Sequence, residues 1–267
     1  MLHKIKKKLF LLFCMAVTVV LMKQAYDLNN RILQTSSQSK AYVAIIIDDF
    51  GYNGAGTKEM LSLSVPFTAA VMPFLESSSQ DAKAALEAGK EIIIHMPMES
   101  YTGKKSWLGP VSISSDLTDE QVKQIFNSAM SEIEGAVGIN NHMGSKITED
   151  TRIMNDILSE VKKNDMVFID SMTTANSVTK KISQDIGAVA FYRDVFLDST
   201  TQQSKVEQNL IQLADTALQK GYAVGIGHVG PEGGKITAAA IEKLAPELQK
   251  KGIEFVTISQ LKEITQK

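Results

Sequence analysis

Eight short apolar runs between residues 41 and 258, most of them leading into a stretch of helical periodicity, restrict this chain more than any other feature. They are 42–47 "YVAIII", 67–72 "FTAAVM", 91–95 "EIIIH", 136–140 "AVGIN", 166–170 "MVFID", 188–192 "AVAFY", 222–227 "YAVGIG" and 254–258 "EFVTI". A strand that reads apolar at nearly every position is covered on both faces. Strands of that kind alternating with helices form parallel sheets with the helices outside. The helical stretches are 77–88, 118–134, 149–164, 176–186, 202–220 and 236–251. Thr118 with Gln121 reads as a capping box, and Gly89, Gly221 and Gly252 read as helix stops. Seven or eight such units in so short a span imply an α/β barrel more than an open sheet.

The N-terminus follows different rules. Lys4, Lys6, Lys7 and Lys8 precede an uninterrupted apolar run from Leu9 to Met22, closed by Lys23. A basic start before about 7–15 apolar residues is the pattern of an export signal. A helix that crosses the hydrocarbon core needs about 20 residues. Residues 1–26 are therefore expected to be a secretory signal or an uncleaved anchor, 27–40 a polar tether, and 41–267 the folded body. The body is expected outside the cytoplasm, secreted or held at the membrane through the N-terminal segment alone. Cys14, the only cysteine, lies in the apolar run, so the body has neither disulfides nor thiolate ligands. A net charge of −2 supplies no basic field, which argues against nucleic acid as a partner.

Reactive side chains collect where the strand runs stop. Asp48 and Asp49 follow the first run and His95 ends the third. Asn140, Asn141 and His142 lie at the end of the fourth, and Asp170 ends the fifth. Arg193 and Asp194 follow the sixth, and His228 follows the seventh. In a barrel these ends open on one mouth, where sites form. Of the four histidines, three occupy such ends and the other is His3. Imidazoles beside carboxylates suit a divalent metal, zinc first. The adjacent pair Asp48–Asp49 then divides the labour, one carboxylate binding metal and the other taking a proton from water. The residues alone leave open which is which. A plain alternative is that one of them only caps the following loop.

These segments resemble a known family. "AIIIDDFG" resembles the first motif of polysaccharide deacetylases, in which the first aspartate is the base and the second binds metal. That implies Asp48 as base and Asp49 as ligand. "GKEIIIHMPMES" resembles the next motif and carries His95. The family's usual second histidine, four residues on, is here Glu99. "INNHMGS" supplies His142 instead, and the "HMPME" and "NHMGS" segments are similar to the divergent branch of the family. "GYAVGIGHVG" resembles the last motif, implying His228 as general acid. "FYRDVFLD" resembles the arginine-bearing motif, implying that Arg193 orients the base.

The resemblance covers about residues 41–263. It implies a distorted (β/α) barrel of about seven parallel strands with outer helices. It also implies a zinc-type metal on Asp49, His95 and His142, and hydrolysis of N-acetyl groups on a cell-envelope polysaccharide. Glu99 is expected as a fourth ligand, as a partner orienting His95, or as a solvated loop carboxylate. Asn141, Asp170 and Asp198 are expected around metal or substrate. Two other functions stay open: a metal-dependent glycosidase, and a non-catalytic glycan-binding or scaffold protein. Trp107 and Tyr101, in the long loop after the third run, either stack on a sugar or cover the barrel edge.

Overall fold

The computed structural model describes residues 18, 21–24, 40–200, 202–231 and 233–266. The expected signal or anchor and the tether fall almost wholly outside the described residues. Among the described residues no helix is long and apolar enough to cross a membrane. The chain divides after Ser39, and the unit from Lys40 onward carries every strand found among the described residues.

The strands are β1 (Ala41–Phe50), β2 (Thr68–Val71), β3 (Glu91–Met98), β4 (Gly138–Met143), β5 (Val167–Asp170), β6 (Ala190–Tyr192), β7 (Val195–Phe196), β8 (Tyr222–His228) and β9 (Ile253–Val256). The helices are α1 (Thr57–Leu61), α2 (Ser78–Glu87), α3 (Asp119–Glu132), α4 (Thr151–Lys163), α5 (Thr179–Ile186), α6 (Gln203–Lys220), α7 (Gly234–Lys250) and α8 (Ile258–Thr265). Thr118 and Gln121 do form the capping box of α3. Gly221 ends α6 in the left-handed region at φ 91°, which a side chain would disfavour.

The sheet runs β6-β5-β4-β3-β2-β1-β8-β7, with every neighbour parallel. β9 joins it at the start of β1, pairing Ala41–Ala44 with Ile253–Val256. β6 and β7 lie at opposite ends of this path, yet only Arg193 and Asp194 separate them in the chain. Three peptide steps reach at most about 11 Å. The two ends must therefore curl towards each other, although no ladder pairs them among the described residues. The result is a distorted barrel with one unpaired seam.

Alternation along the strands sorts the core into two layers. Val43, Ile45, Ile47, Ile92 and Ile94 pack with helix residues such as Val122, Phe126 and Ile157. Ala44, Ile46, Ile93, Ile169, Val224 and Ile226 form a second cluster inside the barrel. Ile258 and Leu261 of α8 join that inner cluster. Burial on both faces explains why the runs read as continuously apolar.

Several strands extend past their expected ends. Asp48 and Asp49 lie inside β1, His95 lies mid-way along β3, and Asn140, Asn141 and His142 belong to β4. Ladder bonds are made by the backbone, so polar side chains do not stop them. His95 pairs with Asn140 and Pro97 with His142. The short elements α1, β7 and α8 escape a reading based on long periodic runs.

Candidate functional site

The inner rows of the strands continue directly into the polar residues. Ala44 and Ile46 lead to Asp48, Ile93 leads to His95, and Val224 and Ile226 lead to His228. On β4 the same parity selects Asn140 and His142. Asp48 and His228 are ladder partners, so both reach the mouth on one face.

Strict alternation would send Asp49 to the outside. A register shift between Ile47 and Phe50 interrupts the β1–β2 ladder there. Asp49 adopts φ 68°, a left-handed conformation that non-glycine residues seldom take. A bulge of this kind re-aims a side chain. Both neighbouring carboxylates consequently meet one imidazole: His95 Nε2 is 3.3 Å from Asp49 Oδ1 and 3.6 Å from Asp48 Oδ2.

Asp49, His95 and His142 converge. His142 Nδ1 lies 3.2 Å from Asp49 Oδ1 and 3.0 Å from His95 Nε2. Asp49 Oδ1 is buried, yet it accepts no hydrogen bond of ordinary geometry. The far nitrogen of each ring has its own partner. His95 Nδ1 donates to Asn140 Oδ1 at 2.7 Å, and His142 Nε2 donates to the Trp107 carbonyl at 3.1 Å. Those bonds leave both near nitrogens with lone pairs aimed at a shared point. Tetrahedral ligands at ~2.0–2.1 Å from zinc lie about 3.3 Å apart. The orphaned oxygen and the spacing of the three atoms fit a divalent cation, and among the described residues this is the one cluster of the kind.

Asn140 is fully buried and joins the two halves of the centre. Its Oδ1 receives His95 Nδ1–H while its Nδ2 donates to Asp48 Oδ1 at 2.8 Å. Sequence reasoning selects Asn141, but the structure points to Asn140. Asn141 faces the outer side, where it accepts from Ser171 N and donates to the Met143 carbonyl. Strand parity is the signal that distinguishes them.

Electrostatics separates the carboxylates. Burial pushes the Asp48 carboxyl up, and the opposing charges of His95 and His228 do not cancel that push. Burial acts on Asp49 too, but His142 and His95 outweigh it and hold that carboxyl far below the usual range. His95 is raised: burial disfavours its charge, but Asp48 and Asp49 favour it more.

Across the mouth, Asp198 accepts from His228 Nδ1 at 2.7 Å, from His228 N at 2.8 Å and from Thr237 Oγ1 at 2.7 Å. A Cβ at Gly233 would sit 1.8 Å from Asp198 Oδ2, so only glycine admits this approach. Burial opposes charge on His228, but Asp198, with Asp48 and Asp49 behind it, raises the ring to about 10.

Three expected residues act elsewhere. Glu99 is neither beside His95 nor free in solvent: it accepts from Ser115 N, Ser115 Oγ and Lys146 Nζ, which pins the long loop after β3. Asp170 accepts from Met172 N and Ser177 Oγ and shapes the loop after β5. Arg193 donates to the carbonyls of Ser171 and Met172 and stacks 3.6 Å over Phe196. The hydrogen bond that orients Asp48 comes from Asn140, and Arg193 reaches Asp48 only through its charge.

A family profile, that of the divergent polysaccharide deacetylases, matches residues 45–262. The chain belongs to this family. The chain is similar to the uncharacterised protein YibQ of Escherichia coli, 29% identical over 206 residues; the match covers 77% of this chain and 64% of YibQ, somewhat under two thirds of that protein. The structure resembles that of the uncharacterised ATU2773 of Agrobacterium tumefaciens, with a TM-score of 0.77, 23% identity, and coverage of 83% and 89% of the two chains. At a TM-score of 0.50 the fold is shared with a peptidoglycan N-acetylglucosamine deacetylase, Bc1960 (14% identity; 84% and 88% covered). At the same score it is shared with BA3943 of Bacillus anthracis, described as a pseudoenzyme (13% identity; 84% and 66% covered). The fold is thus shared with a deacetylase and with a protein described as a pseudoenzyme, so the residues of the mouth must carry the functional argument.

Proposed function

We propose that this protein is an exported, metal-dependent amide hydrolase that removes N-acetyl groups from an envelope polysaccharide. The observation that carries the reading is Asp49 Oδ1, buried without a hydrogen bond between two imidazole nitrogens, with the separate carboxylate of Asp48 alongside. Asp49, His95 and His142 would hold the metal, zinc first. When bound, such an ion supplies a water of lowered pKa and polarises the acetyl carbonyl.

The chain's own residues do the rest. Asp48, buried and drawn towards the proton, takes one from the attacking water. Asn140 keeps that carboxylate and His95 in fixed relative orientation. His228 is protonated at neutral pH through its bond to Asp198 and delivers a proton to the leaving amine nitrogen. The amine then departs as a neutral group instead of an amide anion.

The glycosidase alternative is weaker. Its two carboxyl groups must flank a bond some 5–9.5 Å apart, whereas Asp48 and Asp49 both converge on one nitrogen. Export rests on Lys4–Lys8 and the run to Met22. A reporter active only outside the cytoplasm, fused after residue 40, is expected to be active; a stable but silent fusion rejects export. The test of the chemistry is elemental analysis of the purified protein beside acetate release from N-acetylated envelope polysaccharides. About one equivalent of metal and metal-dependent acetate release are expected. Metal binding without release of acetate would leave a non-catalytic glycan-binding protein.

A further inference from the structure

The exposed aromatic rings of the body are not scattered. Among the described residues the large exposed aromatics are Tyr52, Tyr101 and Trp107, at 52%, 64% and 54%. All three lie in the loops that follow β1 and β3, on the side where the strands open. The exposed large aliphatics of the same unit, Leu86, Ile211 and Leu218, lie instead on helices.

Trp107 is held in place although its ring is exposed. It sits in a single 3₁₀ turn, with its N–H bonded to the Lys104 carbonyl at 3.0 Å. Its neighbour Leu108 is buried, and Ile113 further along the loop pairs with Met98. The indole rests beside Gly103, where an added Cβ would meet ring carbons at 3.5 Å and the Met143 methyl at 2.4 Å. Lys104 Nζ stands 5.8 Å from the ring centroid. The main-chain carbonyl of Trp107 bonds His142 Nε2, so the backbone that carries the indole is one hydrogen bond and one imidazole width from the triad.

We propose that Trp107 is a sugar-stacking subsite, seating a pyranose ring of an N-acetylated glycan one unit away from the unit that reacts at Asp49, His95 and His142. The C–H face of a pyranose is weakly positive and apolar, and the face of an indole is negative and apolar. A rigid, exposed ring therefore binds a sugar at little ordering cost. The subsite rests on the deacetylase reading for its choice of glycan.

Trp107 is the only tryptophan in the chain, so its emission reports this position alone. The full-length, metal-loaded protein is titrated with N-acetylglucosamine oligomers of one to six units. A saturable change in emission is expected, tightening with oligomer length. By calorimetry, Trp107→Ala is expected to bind the longer oligomers about tenfold more weakly, and Trp107→Phe to recover most of the loss. Metal content is expected to stay constant in both, because the main-chain carbonyl to His142 survives either change. An unchanged emission, or wild-type affinity in Trp107→Ala, overturns the subsite even if acetate is released. An emission change that follows protein concentration alone also overturns it and gives the ring to a second copy. A saturable response without acetate release keeps the subsite and removes the hydrolase.

Discussion

The two sides of the barrel mouth hold similar residues in opposite conditions. On the β1–β3–β4 side, a carboxylate and two imidazoles face one another with lone pairs unspent, and Asp49 Oδ1 accepts no regular hydrogen bond. On the β7–β8 side, an aspartate and a histidine are bonded to each other, and Asp198 accepts three hydrogen bonds. Buried polar atoms are rarely left without partners, so the first arrangement calls for a cation. The second is already satisfied, and its product is a histidine that keeps its proton. Residue type alone does not separate a ligand from an acid; the direction of the lone pairs does.

The largest expected effect bears on the open side. His142→Ala removes one of three converging donors, and metal affinity is expected to fall by more than the ~10–100-fold typical of an outer partner. Equilibrium dialysis with zinc checks this. Unchanged affinity would dissolve the contrast between the two sides.

Asp48→Asn is expected to keep the metal and lose about 10²–10⁴-fold in acetate release, the usual worth of a general base. Asp49→Asn is expected to lose both. Parallel measurements of occupancy and rate test the division of labour, and reversed occupancies would exchange the two roles.

Asn140→Leu removes the acceptor for His95 and the donor to Asp48 together. A fall in metal affinity of about 10–100-fold is expected, with the fold retained by circular dichroism. Wild-type affinity would mean that packing, not this amide, orients His95.

The satisfied side should answer to pH. The fold raises His228 from 6.5 to about 10, so it favours the charged ring. That stabilisation is complete below about 6.5 and is lost as pH rises through 10. In chelated protein, the Tm advantage of wild type over His228→Gln is expected to be full at pH 6 and to shrink steadily towards pH 10. A constant difference across that window would show that Asp198 does not hold the proton on His228.

The smallest effect is expected at Glu99, outside both clusters. Glu99→Gln weakens a solvent-screened pair with Lys146 that lies away from the metal ligands. Metal occupancy is expected to match wild type within error.

Several features of the molecule could be read directly from the chain. Runs such as "AIIIDD" and "EIIIH" have no polar face, so they had to lie between two apolar layers, and their alternation with helices required parallel pairing. Three histidines at the ends of such runs pointed to one mouth. Glu99 was not legible in the same way. Glu99 stands where the resembled family has its second histidine, four residues after His95, but its partners Ser115 and Lys146 are 16 and 47 residues away. The resemblance of "FYRDVFLD" to an arginine motif likewise did not reveal that Arg193 spends its hydrogen bonds on the loop after β5.

What the sequence determined by itself was the layering and the list of reactive residues, because burial and strand parity are local and periodic. Parity also carries Asp48, His95, Asn140, His142 and His228 to one face. What only the tertiary structure decided was which of those residues meet. Asp49 reaches the same histidine as Asp48 because one bulge at φ 68° interrupts the alternation. Asn140 links base to ligand because β1, β3 and β4 are curled until their ends surround one point. Hydrogen bonds and coordination act over a few ångströms, and such distances are set by long-range packing between segments that lie far apart in the chain.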